Sequence, residues 1–303
     1  MGKNRKIKIY TAMFFAVLFW GFSFVWSKQV LAVYKPVTVI YLRLILSVFF
    51  LFLFGLLFHK IQKIRKKDRL KILILAFFEP FVYFLGENFG LTHVSSTVAS
   101  VLISTIPLFS LIAAYFFTKE KMTGANILGI ILSIAGVIMV ILKEGFRFKA
   151  DLYGIGFMLL AVFAAVTYSV VVLDITKKYN VYSIIAYQNL IGIFMFTPLF
   201  FIFDYTDFIT TPFSWEAWIP LLELAVFASA IAFILFTFGI KHLGIIRANT
   251  ISNLIPVVTA IFSFFILGEN FSLINVIGIL VVVTGLILSQ QHRKKKSVIF
   301  NEY

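Results

Sequence analysis

The feature that most constrains this chain is its alternation of long uncharged apolar stretches with short segments that hold most of the cations. A bilayer core about 30 Å thick needs about 20 apolar residues per crossing helix. Ten stretches meet that length, at 9–27, 37–58, 71–91, 95–117, 123–142, 152–173, 182–203, 216–240, 245–267 and 272–290. The longest connectors, His59 to Leu70 and Asp204 to Trp215, have the length of loops rather than domains. The expected fold is therefore all-α: a polytopic membrane protein with ten transmembrane helices and no soluble catalytic domain. The basic amino end leads into an apolar stretch too long for the core of a signal peptide, and no A-x-A-like cleavage site follows, so it is expected to be the first span, retained.

Composition agrees. With 61% hydrophobic and 13% charged residues, the chain is neither disordered nor an ordinary soluble domain. Its net charge of +14 would point to nucleic acid on a soluble protein. Here the cations are sorted by side instead. One set of alternate connectors and tails carries Lys3 to Lys8, Lys60 to Lys71, Lys119, Lys121, Lys177, Lys178, Lys241 and Arg293 to Lys296, while the other carries only Lys28, Lys35, Lys143, Arg147 and Lys149. The positive-inside rule then places both termini in the cytoplasm, with the lipid bilayer and not nucleic acid as partner. Cysteine is absent, so disulfides, thiolate metal sites and cysteine nucleophiles are excluded.

The chain also repeats itself. An ungapped shift of 149 residues lays Phe89-Gly90 on Phe238-Gly239, His93 on His242, Ala99 on Ala248, Pro107 on Pro256, Glu120 on Glu269, Asn126 on Asn275, Gly129 on Gly278 and Gly136 on Gly285. Each copy, 1–148 and 149–303, holds five spans. An odd number forces the second copy through the membrane upside down, the inverted repeat found in secondary transporters.

The stretch Gly90-Leu-Thr-His-Val-Ser-Ser-Thr-Val-Ala-Ser, followed by Pro107, Glu120, Gly129 and Gly136, resembles the EamA motif of the drug/metabolite transporter superfamily, and Gly239 to Gly285 repeats it. Trp20-Gly21, Ser23-Phe24 and Arg43 resemble the same family, so the likeness spans the chain. Two departures stand out: glycine at 90 and 239 where the family usually has alanine, and no counterpart of Trp20 in the sixth span. The resemblance implies two inverted five-helix EamA repeats around a central cavity. It further implies a secondary transporter exporting a small organic metabolite, such as an amino acid, by alternating access. The alternatives are an uncoupled facilitator on the same fold and, behind it, an integral membrane enzyme.

Charges inside spans cost about 2.5–3.5 kcal/mol each on insertion scales, so each marks a candidate site. Arg43, Glu79, Glu87, Glu223 and Arg247 qualify. Arg43 and Glu87 sit at similar depth, close enough to pair. Glu79, Tyr83 and Glu87 follow i, i+4, i+8 spacing, one helical face that can line a pathway. Glu79 or Glu87 is the candidate for sensing charge on the substrate or a coupled proton, and Glu79, beside Pro80, also for binding an ammonium group. Glu223 reads as interfacial. Ser100 and Ser104 correspond to Asn249 and Asn253, with Pro107 and Pro256 one turn on, which makes this polar seam the expected binding location. Trp20 and Tyr168 are candidate cavity walls. Arg43, Pro107, Pro256, Glu120 and Glu269 are assigned structural or gating parts, the two glutamates as partners of helix dipoles. Each position has a plain alternative: an ion pair, an interhelical hydrogen bond or packing.

Other chemistry lacks its motifs. Gly154-Ile-Gly156 has no third glycine, there is no Walker A sequence and no H-E-x-x-H, and Gly21-Phe-Ser23-Phe-Val25 misses the last glycine of a nucleophile elbow. The four histidines lie scattered near helix ends or tails. No cofactor, metal or catalytic residue is expected.

Overall fold

A computed structural model describes residues 3–118, 123–141 and 151–289, and among these every regular element is helical. In chain order they are α1 (Lys3–Leu31), α2 (Pro36–Leu57), α3 (Arg69–Ala76), α4 (Tyr83–His93), α5 (Ser96–Ile103), α6 (Ile106–Thr118), α7 (Gly124–Ile141) and α8 (Leu152–Ile175). There follow α9 (Val181–Leu199), α10 (Tyr205–Thr210), α11 (Trp215–Glu223), α12 (Phe233–Leu243), α13 (Ile245–Ser252), α14 (Ile255–Leu267) and α15 (Leu273–Ser289). Among the described residues, six continuous helical stretches are long and apolar enough to cross a membrane: Lys6–Leu31, Pro36–Leu57, Gly124–Ile141, Leu152–Ile175, Val181–Thr210 and Trp215–Leu243. Large apolar side chains such as Phe49, Phe194 and Phe265 cover the outer surface, where lipid, not water, is the solvent they suit.

Helix starts follow local chemistry. Pro36 opens α2 at a position that needs no N–H. Ser95, Asp151 and Asn180 cap α5, α8 and α9 by accepting from Val98, Tyr153 and Ser183 backbone N–H at 3.3, 3.1 and 2.7 Å.

Three stretches expected as single helices are broken. The stretch 95–117 divides into α5 and α6, and 245–267 divides into α13 and α14. Pro107 and Pro256 stand at the second residue of α6 and α14, where a missing N–H breaks no ladder bond but prevents the preceding helix from running through. At the break, Ser104 and Thr105 hydroxyls donate to the carbonyls of Val101 and Leu102 at 2.7 and 2.6 Å. The stretch 71–91 breaks at Glu79, extended at φ −142°, ψ 110°, as the residue before a proline prefers. Conversely, Asp204 does not begin a loop. Helix continues through a wide turn, Phe200–Asp204, into α10, and the Asp204 carboxylate sits at the start of α2, accepting from Thr38 N–H and hydroxyl at 2.9 and 3.2 Å.

The repeated asparagines and glycines meet in one place. α7 and α15 pack along each other, so closely that a Cβ on Gly136 would lie 2.6 Å from Val282 N and one on Gly278 would crowd Val140. Asn126 donates to Ser289 C=O at 2.6 Å and Asn275 to Val140 C=O at 3.2 Å, while their side-chain oxygens accept from Thr123 and Ser272. The glycines at 90 and 239 meet flexible side chains first, rather than backbone. Each faces a methionine, Met158 on α8 and Met13 on α1, that an added Cβ would strike.

Candidate functional site

α1 is the axis of the site. It is fastened to α14 by Thr259 Oγ1 donating to Gly21 C=O at 2.9 Å and to α5 by Ser96 Oγ donating to Phe24 C=O at 3.1 Å, and it packs on α12. Beside it lies a buried cavity of about 60 Å³, room for a few water molecules. Of the residues singled out from sequence, Trp20, Arg43, Glu79, Tyr83, Glu87, Ser104, Tyr168 and Asn249 line it.

Its polar side is an ordered charge cluster. Arg43, on α2 and 2% exposed, lies 3.5 Å from Glu87 through Nη1 and Oε2. Its Nε donates to Ser229 Oγ at 2.9 Å, and its guanidinium sits 4.0 Å above the Phe84 ring, a cation–π contact in an apolar setting. Glu87 also accepts from Tyr83 hydroxyl at 3.3 Å, one turn earlier on α4. Behind the arginine, Asn189 donates to Ser229 C=O and to Ser47 Oγ at 3.0 and 3.1 Å, which fixes the serine that fixes the arginine. Glu79 and Asn249 differ from these. Both are buried, and Glu79 Oε1 and Asn249 Nδ2 have no hydrogen-bond partner among the described residues.

The opposite walls are aromatic. Trp20 packs edge-on against Phe233 at 5.1 Å and against Phe236 at 4.7 Å between ring centroids. Tyr168 stands perpendicular to Phe233 at 6.5 Å and donates from its hydroxyl to Gln188 Oε1 at 3.3 Å.

The shared face of Glu79, Tyr83 and Glu87 has a different origin from the one spacing implies. Tyr83 and Glu87 are neighbours on α4, whereas Glu79 reaches the cavity through the break that precedes it. The polar seam divides likewise. Ser104 and Asn249 reach the cavity, but Ser100 is buried outside its lining and donates to Thr97 C=O at 2.9 Å, and Asn253, also outside it, leaves both amide atoms unpartnered among the described residues. Pro107 and Pro256 shape the helix breaks and do not line the cavity. Glu269 serves a helix dipole, but not that of the helix it precedes. Its carboxylate receives Ser96 N–H at 2.8 Å and Thr97 hydroxyl at 2.7 Å, at the start of α5. Glu120 and the Arg247 side chain lie outside the described residues. Glu223 is half-buried away from the cavity. His93 pairs with Asp151 at 2.9 Å in an exposed position, and His242 donates to Phe238 C=O. No group of three or more metal-ligating side chains gathers among the described residues.

Spacing did not point to Ser229, Asn189, Phe233 or Phe236. The signal for Asn189 was present in Gln188-Asn189, an amide pair inside an apolar stretch. Nothing local distinguishes Phe233 among 38 phenylalanines.

A buried charge cluster thus faces an aromatic wall inside a bundle clad in apolar side chains, and comparison with known proteins gives the family. The sequence profile of the EamA-like transporter family matches twice, over residues 7–142 and 152–290. This chain belongs to the EamA-like transporter family. An Archaeoglobus fulgidus protein named "Uncharacterized transporter" is 26% identical over 95% of this chain and 100% of its own length. Bacillus subtilis "Uncharacterized transporter YcxC" is 24% identical over 98% of this chain and 97% of its own. A solved crystal structure shares the fold, with a TM-score of 0.68 and 18% identity over 93% of this chain and 96% of the other. The EamA-like chain is thus an integral membrane transporter with an all-helical fold.

Proposed function

We propose that this EamA-like protein is a secondary transporter that exports a small organic solute, an amino acid or related metabolite, by alternating access through the central cavity. Two inverted five-helix repeats, 1–148 and 149–303, make ten spans with both termini cytoplasmic, and they rock about the cavity. The double match of the family profile, the paired roles of Asn126 with Asn275, and the sorting of cations by side support that arrangement.

The observation that carries the proposal is Glu79. An unpaired carboxyl in a membrane interior is costly and finds a counter-charge where one exists. Arg43 is already engaged by Glu87 and Ser229. Glu79 therefore meets either the ammonium of a solute or a coupled proton, Asn249 offers the solute a hydrogen-bond donor, and Trp20, Tyr168 and Phe233 pack against its apolar part.

Reconstituted vesicles test this reading. Wild-type protein should show saturable uptake and counterflow of amino acids or related metabolites, and Glu79→Gln should lose the pH-gradient dependence or at least tenfold of the rate. Unchanged transport at every pH after Glu79→Gln removes the carboxyl from the mechanism. Flux that neither saturates nor exchanges indicates an uncoupled facilitator.

A further inference from the structure

Away from the central cavity, the connector between α2 and α3 forms a second concave feature. It carries Lys60, Lys63, Arg65, Lys66 and Lys67. A positive-inside bias accounts for cations on such a connector, but not for its being stapled into one shape. Gln62 N–H donates to Ser183 Oγ at 2.7 Å, Arg65 N–H to Tyr179 hydroxyl at 3.1 Å, and Asn180 Nδ2 to Lys60 C=O at 2.8 Å. Ile64 is buried among Ile175, Tyr179 and Ile184. Asp68 is also buried, and accepts from Lys178 Nζ at 2.7 Å and from Tyr179 hydroxyl at 2.9 Å.

The result is an open recess of about 500 Å³ lined by Lys63, Arg65, Lys67, Asp68, Lys178 and Tyr179. Asp68 is spent on Lys178 and Tyr179, whose bonds hold its carboxyl below the usual carboxylate range. Lys63, Arg65 and Lys67 are exposed and form no ion pair among the described residues. Surplus positive charge thus converges on a preformed hollow, and Arg65 brings a planar fork suited to phosphate oxygens.

The surroundings choose the source of that phosphate. Leu56, Leu57 and Phe58, at the end of α2, and Leu70, at the start of α3, are each more than 60% exposed. Large apolar side chains therefore flank the basic recess in sequence on both sides, as at the boundary between headgroups and acyl chains. Basic pockets at such a boundary hold anionic lipid headgroups.

We infer that this recess binds the phosphodiester headgroup of an anionic phospholipid, with acyl chains lying against Phe58 and Leu70. The lipid touches side chains from both copies of the sequence repeat, Lys63 to Lys67 from one and Lys178 from the other, across a junction that the bonds to Tyr179, Asn180 and Ser183 already hold together.

Native mass spectrometry of the delipidated full-length protein tests this with phosphatidylglycerol, phosphatidylcholine and inorganic phosphate as probes. Each cation at the surface is worth about fivefold in affinity for anionic lipid, or ~1 kcal/mol. The triple change Lys63→Gln, Arg65→Gln, Lys67→Gln should therefore weaken phosphatidylglycerol binding roughly a hundredfold. The triple change Arg293→Gln, Lys294→Gln, Lys295→Gln removes the same charge from the tail and should alter it less than about threefold. Lys63→Gln alone should cost about fivefold, a reading that survives if the triple variant folds poorly. Equal losses in the two triples, equal binding of phosphatidylcholine and phosphatidylglycerol by wild type, or displacement of the lipid by millimolar inorganic phosphate would each overturn the inference.

Discussion

Glu269 caps a helix that begins 173 residues earlier in the chain: its carboxylate accepts from Ser96 N–H at 2.8 Å and from Thr97 hydroxyl at 2.7 Å. A carboxylate at the positive end of α5 satisfies N–H groups the helix cannot, and complements the helix dipole. The bond also ties the α14–α15 connection to α5.

Glu269→Ala is expected to lower stability by about 1–2 kcal/mol, the usual worth of a cap, with Glu269→Gln recovering part by keeping an acceptor. Melting temperature in detergent reads both, and a Glu269→Ala protein as stable as wild type would contradict the cap.

Arg43 and Glu87 are expected to behave as a unit. Removing one member strands the other as an unpaired charge, at a cost of about 3–5 kcal/mol for a buried pair, whereas removing both leaves a neutral site. Arg43→Met should destabilise strongly, and Arg43→Met with Glu87→Gln should recover most of that loss. Simple addition of the two single effects in a double-mutant cycle would mean that the 3.5 Å contact carries no coupling.

The α7–α15 contact yields a sharper steric expectation. Gly136→Leu drives a side chain into the backbone of α15 and should cost about 1–3 kcal/mol or more. Ile134→Leu, on the exposed face of the same helix, should stay within about 0.5 kcal/mol. Equal tolerance at both positions would argue against the close approach.

These examples show what a sequence of this kind exposes. Runs of apolar residues are visible because lipid imposes their length, and Asn126, Gly136 and their counterparts are visible because backbone contact between helices tolerates little else there. The breaks at Glu79, Ser104 and Asn253 leave no mark in mean hydropathy, and their signal in the sequence is the proline that follows each, Pro80, Pro107 and Pro256. Ser100 and Ser104 share a face by spacing, yet only Ser104 meets the cavity. Spacing fixes a side chain's direction from its own helix, not the neighbour it finds. Arg43 was legible by its charge, whereas its brace, Ser229, is one serine among many and gains its part only through the fold.

Asp68 extends the same logic to pH. Lys178 and Tyr179 hold its folded-state carboxyl below the usual range. A depressed carboxyl stabilises the folded chain at pH above its unfolded value, near 4, and that contribution disappears as pH falls through the lower folded value. Wild type should therefore outlast Asp68→Asn in thermal melts at neutral pH, and the difference should shrink steadily below about pH 4 as wild-type Asp68 takes up its proton. Tyr179→Phe should reproduce part of the neutral-pH loss, since its hydroxyl supplies one of the two bonds to the carboxylate. A gap between wild type and Asp68→Asn that stays constant from pH 7 to pH 3 would mean that packing, not the ionised carboxylate, secures the connector.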